Sequence, residues 1–370
     1  MNQLPVISLF AGAGGLDLAI HRCAEPALIH DGSEGPLRTV IATDWDDPAL
    51  ASFSRNFPGI PTVNGDIREL TSAELLSRAG LSRGDAFLVV GGPPCTPFSK
   101  SGFWLEEKRM SMDPDASLLD EYVRVVRDAA PAAFVLENVQ GLTYKTHRHQ
   151  LDRTLSHLTE LGYNPSWQVL LAADYGVPQL RRRVFIVGRR DGVPFRFPEP
   201  THGGISEGHD SMRPGLLPHV TAKQAFRGLR SKPESGELAE GAYAELLASV
   251  PPGKNYLWHT ERGGGERVFK WRGRYWTFLL RLEPGRPSTT LQAQPGPWVG
   301  PFHWENVEGP DGRHLARRLR VSELLRLMTF PPDFYAGEDR RTVQRQIGNA
   351  VPLEMGKAVL RALMEQMGQL

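Results

Sequence analysis

Residues 87–101 read FLVVGGPPCTPFSKS, an apolar run that ends in two glycines, two prolines and Cys95. A thiol delivered at the exit of a buried strand is placed to act as a nucleophile, and prolines ahead of it fix φ and hold its angle of attack. A free cysteine is more often buried and inert. Here, however, Gly91–Gly92–Pro93–Pro94 is too broken for core packing, and Thr96, Ser99, Lys100 and Ser101 are polar. A group able to move a proton lies in FVLENVQGL (134–142), where Glu137 and Asn138 close another strand-like run. A carboxyl group beside a desolvated pocket keeps its proton near neutrality and can give it away, which thiolate attack on an electron-poor ring requires. In YGVPQLRRRVFIVG (175–188), Gln179, Arg181 and Arg183 fall in a turn and at the start of a strand.

A third kind of chemistry is cofactor binding. SLFAGAGGLDLAI (8–20) reads strand, Gly-rich turn, helix, which lets the backbone approach a ligand at the carboxyl end of a first strand. A dinucleotide fold wants G-x-G-x-x-G, whereas Gly12, Gly14 and Gly15 read G-x-G-G and Asp17 stands in place of the third glycine. NAD is therefore disfavoured and another adenosine-containing cofactor favoured. Asp44 ends the second strand-like run, where a carboxylate can accept ribose hydroxyls, and Asp66 ends the third, where it can accept an adenine amino group. Each acid serves equally well as a helix cap.

The elements that must position these groups follow from periodicity. Strand-like runs VISLF (6–10), VIATD (40–44), TVNGD (62–66), FLVVG (87–91) and AAFVLE (132–137) alternate with helix-period segments such as Leu119, Tyr122, Val123 and Val126. Further strands are expected near 167–172 and 183–188. The alternation predicts an α/β fold with a mostly parallel, Rossmann-like sheet covered by helices on both faces. After Gly188 the rhythm is lost in a region rich in Pro, Gly and His, which reads as a smaller inserted domain; helical spacing returns in SELLRLMTF (322–330) and in the tail from Pro352.

Composition narrows the class. The chain of 370 residues is 40% apolar and 23% charged, with no apolar stretch near the roughly 20 residues of a membrane span. The start MNQLPVISLF has no basic n-region, so no signal peptide is expected, and two distant cysteines, Cys23 and Cys95, fit a reducing cytoplasm. His147 and His149 form H-x-H without a carboxylate pattern, so no metal is expected. Formal net charge is only +1, but bases cluster at 267–281, at 313–320 and at Arg181–Arg183. Such patches are what phosphate neutralisation requires; a solvated charged face is the plainer reading of each.

Taken in order, the residues resemble the C5-cytosine DNA methyltransferase family. The match runs through Phe10 to Gly15, Asp44–Trp45, Asp66–Ile67, Pro94–Cys95, Glu137 to Val139, Gln179-x-Arg181-x-Arg183, Arg318 to Glu323 and QIGNAVP (346–352). The resemblance implies S-adenosyl-L-methionine as cofactor, held by Phe10, Ala11, Gly12, Gly14, Gly15, Leu16, Asp44, Trp45, Asp66, Ile67 and Pro93, and completed by Asn349, Ala350 and Val351 from the far end of the chain. It further implies catalysis by Cys95 and Glu137 with Arg181 and Arg183, double-stranded DNA as partner, a mobile loop from about Ser99 to Asp115, and a monomer as the working form. Ser99, Lys100 and Gln179 are expected on DNA. A cognate restriction endonuclease would act on the same site without a stable complex.

On this basis the catalytic domain is discontinuous, 1–196 and 322–370, with target recognition in 197–321 and its variable core at about 197–285. Within that core FKWRGRYWTF (269–278) reads as a hairpin turning at Gly273, and Arg272 and Arg274 can enter a major groove to read guanine or face solvent and phosphate. Thr96 departs from the family's usual Gln after the nucleophile, and Ser8 from its usual Asp. Methylation of tRNA, a catalytically silent DNA-binding module and a dinucleotide-dependent oxidoreductase are the rival readings. The first lacks its recognition signature here, the second is opposed by an intact Cys95, Glu137 and Gly-rich loop, and the third by the glycine pattern.

Overall fold

A computed structural model of the chain describes residues 3–25, 35–94, 118–203, 215–229, 237–271, 273–309 and 312–370. The short branched runs of the N-terminal half form strands β1 (Leu4–Leu9), β2 (Leu37–Asp44), β3 (Thr62–Asn64), β4 (Leu88–Gly91), β5 (Ala133–Val139), β6 (Asn164–Leu171) and β7 (Arg182–Arg189). They make one seven-stranded sheet in the order β3-β2-β1-β4-β5-β7-β6. The first five are parallel, and β7 runs antiparallel to both β5 and β6. Chain order reverses between β1 and β4. A parallel sheet leaves a crevice outside its carboxyl ends at such a reversal.

Side chains alternate across each strand, and the sheet accordingly has two cores. Val6, Leu88, Val90 and Val135 face one, which is closed by α1 (Gly15–His21), α2 (Asp47–Asn56) and the C-terminal helices Val321–Leu327, Arg340–Asn349 and Leu353–Gln366. Ile7, Leu9, Val89 and Leu136 face the other, closed by α3 (Ser72–Ala79), α4 (Leu118–Ala129) and α5 (Arg148–Glu160). Local signals set the helix ends: the Thr71 hydroxyl accepts from Glu74 N, Gly80 caps α3 with φ 67°, and Asp339 accepts from Arg341 N and Thr342 N. Among the described residues no helix is long and apolar enough to cross a membrane.

Residues 239–316 build a third, smaller apolar centre from Leu247, Val250, Tyr256, Phe278, Leu279, Phe302 and Ala316, beside the antiparallel pair Phe302–Glu308 and His314–Arg318. Among the described residues of 269–278 no strand pairing of the expected hairpin forms. Its described residues form successive turns, with Gly273 N bonded to Lys270 O and Phe278 N to Tyr275 O. Aromatic packing of Phe269 against Tyr256 and Phe278 takes the place of a strand ladder.

Three arginines of the basic clusters, Arg281, Arg317 and Arg320, prove to be buried. Glu323 accepts from Arg317 Nη1 at 2.9 Å and Nη2 at 2.7 Å and from Arg320 N at 2.8 Å, while Arg320 Nε reaches Glu237 Oε1 at 2.7 Å. Arg281 is buried and donates to the carbonyls of Ala248, Val250, His303 and Trp304, and burial lowers its pKa to about 10. These bases are committed to protein oxygens rather than phosphates. Because the Arg317–Glu323 pair is 3–4% exposed, removing one partner strands a buried charge. Glu323→Ala is expected to lower unfolding free energy by about 3–5 kcal/mol, read as a lower denaturation midpoint; a loss under about 1 kcal/mol would show the pair to be dispensable.

Candidate active site

The crevice begins at the carboxyl end of β1. Phe10 takes φ 53° and Gly12 φ 57°, and Gly14 (φ 88°) opens α1. Gly14 has no alternative, since a Cβ there would lie 2.2 Å from Phe57. Gly12 N donates to Asp44 Oδ2 at 2.8 Å and Asp46 N to Oδ1 at 2.9 Å, so the second strand's acid ties the loop in place. Burial raises the Asp44 pKa. Next to it the indole of Trp45 is 73% exposed, the largest exposure among the large apolar side chains described. Asp66 lies at the end of β3, where Arg68 pairs with it and holds its pKa below the usual carboxylate range.

Asp17 explains two oddities of the sequence together. It is fully buried and accepts from the Ser8 hydroxyl at 3.0 Å and the Thr39 hydroxyl at 2.8 Å, with burial raising its pKa to about 6. Ser8 therefore works as a donor to the residue that stands in place of the third glycine. The pair braces α1 against β1 and β2.

The far end of the chain reaches this loop. A Cβ on Gly15 would meet Ala350 Cβ at 2.9 Å and Val351 O at 3.2 Å, so the two segments touch because Gly15 has no side chain. Asn349 is exposed beside them. The approach is fixed by Gln346 Nε2 to Pro48 O at 2.9 Å and by an Arg345–Asp46 ion pair at 3.1 Å. Sequence reading assigned no role to either.

At the carboxyl ends of β4 and β5 the segment leading to Cys95 and the Glu137 carboxyl converge. Cys95, Thr96, Ser99 and Lys100 lie outside the described residues, but Gly92, Pro93 and Pro94 lead into them. Asn138 Nδ2 donates to Pro93 O at 3.1 Å, and a Cβ on Gly92 would sit 3.0 Å from Glu137 Oε2. Backbone thus passes directly over the carboxylate. Glu137 is 7% exposed; burial raises its pKa, and nearby Arg183 and Arg181 oppose that rise. Arg183 Nε lies 2.7 Å from Glu137 Oε1. Gly92 was not singled out from the sequence, although a double glycine at a strand exit signals close approach.

Two expectations are corrected. Gln179, expected on DNA, is wholly buried: its Nε2 donates to Leu327 O at 3.0 Å and its Oε1 accepts from Leu291 N at 3.0 Å. Arg181, expected to work beside Arg183 in the reaction, is also wholly buried and donates to Leu291 O, Gly348 O and Ala350 O at 3.3, 2.8 and 3.0 Å. It joins the sheet to the C-terminal motif, and its charge opposes the rise of the Glu137 pKa. Of the expected groove residues, Arg272 lies outside the described residues; Arg274 is exposed, with its guanidinium 5.3 Å from the Phe278 ring centroid.

This sheet, with its crevice at the β1/β4 reversal, defines a Rossmann-like methyltransferase fold. Entamoeba histolytica methyltransferase EhMeth shares it with a TM-score of 0.67 at 15% identity over 99% of each chain, and S. pombe Dnmt2 methyltransferase with 0.63 at 16% over 99% of each. The chain belongs to the C-5 cytosine-specific DNA methylase family, whose sequence profile it matches over residues 4–365. It is 63% identical over 369 residues to the Type II methyltransferase M.SacI of Streptomyces achromogenes, covering 100% of this chain and 95% of that one. It is 31% identical to the Type II methyltransferase M.NgoFVII of Neisseria gonorrhoeae, covering 97% and 87%. The protein is a DNA methyltransferase acting at cytosine C5.

Gly92→Ala tests the close approach. The added methyl must displace the Glu137 carboxyl or the Pro-Cys segment by a few tenths of an ångström, so kcat is expected to fall about tenfold or more while the melting temperature changes by less than ~2 °C. Unchanged kcat would show that the spacing is not tight during turnover.

Proposed function

We propose that the enzyme transfers a methyl group from S-adenosyl-L-methionine to C5 of a cytosine flipped out of a specific double-stranded DNA sequence, through a covalent bond between Cys95 and C6. The observation that carries this reading is the passage of Gly92 over Glu137 with Arg183 at 2.7 Å, because it brings the segment leading to Cys95 against a buried acid.

The residues present fit the cofactor. Nothing lies within 4 Å of where a Gly12 Cβ would stand, Asp44 keeps acceptor capacity beyond its two backbone bonds, and the exposed Trp45 ring offers a face for adenine. Phe10, the Gly12–Gly15 turn, Asp44, Trp45 and Asn349 to Val351 would hold it; Asp66 would do so beyond its pair with Arg68. When bound it supplies an electrophilic methyl group.

Cytosine C5 is too weak a nucleophile unaided. The Cys95 thiolate adds to C6 as Glu137 gives its proton to N3, and the electron pair gathers at C5. Burial raises the Glu137 pKa and so favours the protonated form that gives this proton, and Arg183, which would hold the base's O2, stabilises the carboxylate once the proton has gone. After C5 is methylated, loss of the C5 proton to a base drives out the Cys95 thiolate by cleavage of the sulfur–C6 bond, and N3 returns its proton to Glu137. A stacked base cannot reach Cys95, so the nucleotide must leave the helix at a cost of a few kcal/mol that protein–DNA contacts offset.

Pairing with a restriction endonuclease is supported by the relatives, which are named Type II methyltransferases. Bisulfite sequencing of DNA from a methylation-free host expressing the chain tests the function. Unconverted cytosines in one short context are expected with the wild type, with none for Cys95→Ala and a large loss for Glu137→Gln. Full conversion with the wild type, or retained methylation in Cys95→Ala, would overturn the reading.

A further inference from the structure

Residues 256–281 hold an arrangement that the reaction chemistry leaves unused. Tyr275 and Trp276 are adjacent and 63% and 61% exposed. Nearby Tyr256, Phe269 and Phe278 instead pack edge to face in the small core. Two large rings left side by side in water forgo hydrophobic stabilisation, which marks a contact surface.

Their exposure is built in, because the backbone beneath them is fixed. Asn255 Nδ2 donates to Trp276 O at 2.7 Å, Gly300 N to Thr277 O at 2.8 Å and Phe278 N to Tyr275 O at 2.9 Å. The same segment is tied toward the catalytic acid. Gln292 Nε2 donates to the Thr277 hydroxyl at 3.2 Å, and Leu291 beside it is held by Gln179 and by Arg181, two residues from Arg183 on Glu137. A rigid aromatic pair is thus mechanically linked to the crevice in which a base must be received. Preorganised rings of this kind bind with little ordering cost.

Charge identifies the partner. Arg262, Arg267, Lys270 and Arg274 are exposed in this segment against the acids Glu261 and Glu266. Arg274 lies over the rings of Phe269 and Phe278 at 6.0 and 5.3 Å, and Arg262 over Trp271 at 4.0 Å, so both guanidinium groups are aimed by stacking. Rings flanked by an excess of cations match a polyanion that offers open base faces, as duplex DNA does beside a nucleotide flipped out of the stack.

We propose that Tyr275 and Trp276 form an aromatic contact on the bases beside the flipped cytosine, with Lys270 and Arg274 on adjoining phosphates. This rests on the DNA-methylation reading above and assigns its DNA contact to particular side chains. Its test is binding of the full-length protein to a 20-base-pair duplex carrying the methylated sequence, across a salt series, for wild type, Trp276→Ala, Trp276→Phe, Tyr275→Ala and Lys270→Ala.

Trp276→Ala is expected to weaken binding about tenfold with Trp276→Phe recovering most of it, with an unchanged salt slope and with S-adenosylmethionine affinity within about twofold of wild type. Tyr275→Ala is expected to weaken binding severalfold, and Lys270→Ala to reduce the slope of log affinity against log salt by about one. Binding within twofold of wild type for both Trp276→Ala and Tyr275→Ala would overturn the proposal and leave the surface to a protein partner. A loss in Trp276→Ala accompanied by a changed salt slope would also overturn it. Failure of the wild type to bind the duplex would instead bring down the DNA reading itself.

Discussion

A carboxyl group at the end of a central strand is shielded from water by the chain packed around it, and the rest of this site is arranged about that constraint. Glu137 takes this position because β5 is flanked by β4 and β7, both of which end or begin beside it. Burial alone would leave the acid permanently protonated, and a close cation alone would strip its proton away. Here desolvation, which raises the Glu137 pKa, is opposed by the charges of Arg183 and Arg181. Gly92 completes the arrangement by letting the segment that leads to Cys95 cross the carboxylate without a side chain between them.

The second requirement is that distant pieces of chain remain in register with this acid. Arg181 does so by giving hydrogen bonds to carbonyls on both sides of it, at Leu291 and at Gly348 and Ala350. Gln179 does the same between Leu291 and Leu327. Buried donors with several partners over-determine a position in a way that apolar contacts do not. The cofactor loop, the C-terminal motif and the segment leading to Thr277 are therefore held by one polar framework, and the Arg317–Glu323 pair extends it toward the small core.

Strands were legible because branched apolar runs are strong local signals: β1, β2, β4, β5 and β7 fall on such runs, whereas β3 is the less apolar Thr62–Asn64 and β6 begins at Asn164, ahead of the expected 167–172. The glycines of the cofactor loop and the meeting of Glu137 with the Pro-Cys segment were legible as motif order. What sequence could not give was the fate of the arginines. Arg181, Arg281, Arg317 and Arg320 read as surface charge, yet each is buried against carbonyls or carboxylates, and for Arg181, Arg281 and Arg320 these come from far along the chain. Partners such as Glu237 or Ala248 can be assigned only once tertiary contacts exist. The 269–278 segment failed as a hairpin for a related reason. Packing of Phe269 on Tyr256, a residue outside the segment, accompanies the loss of its alternating pattern.

The covalent route through Cys95 is the central claim, and intact-mass measurement tests it most directly. The enzyme would be incubated with S-adenosylmethionine and a duplex whose target cytosine carries fluorine at C5, so that no proton is available for elimination and the sulfur–C6 bond persists. A species with the summed mass of protein, oligonucleotide and one methyl group, absent in Cys95→Ala, is the predicted result. Methylation of the unmodified duplex without any such species from its fluorinated counterpart, or the same adduct in Cys95→Ala, would contradict it.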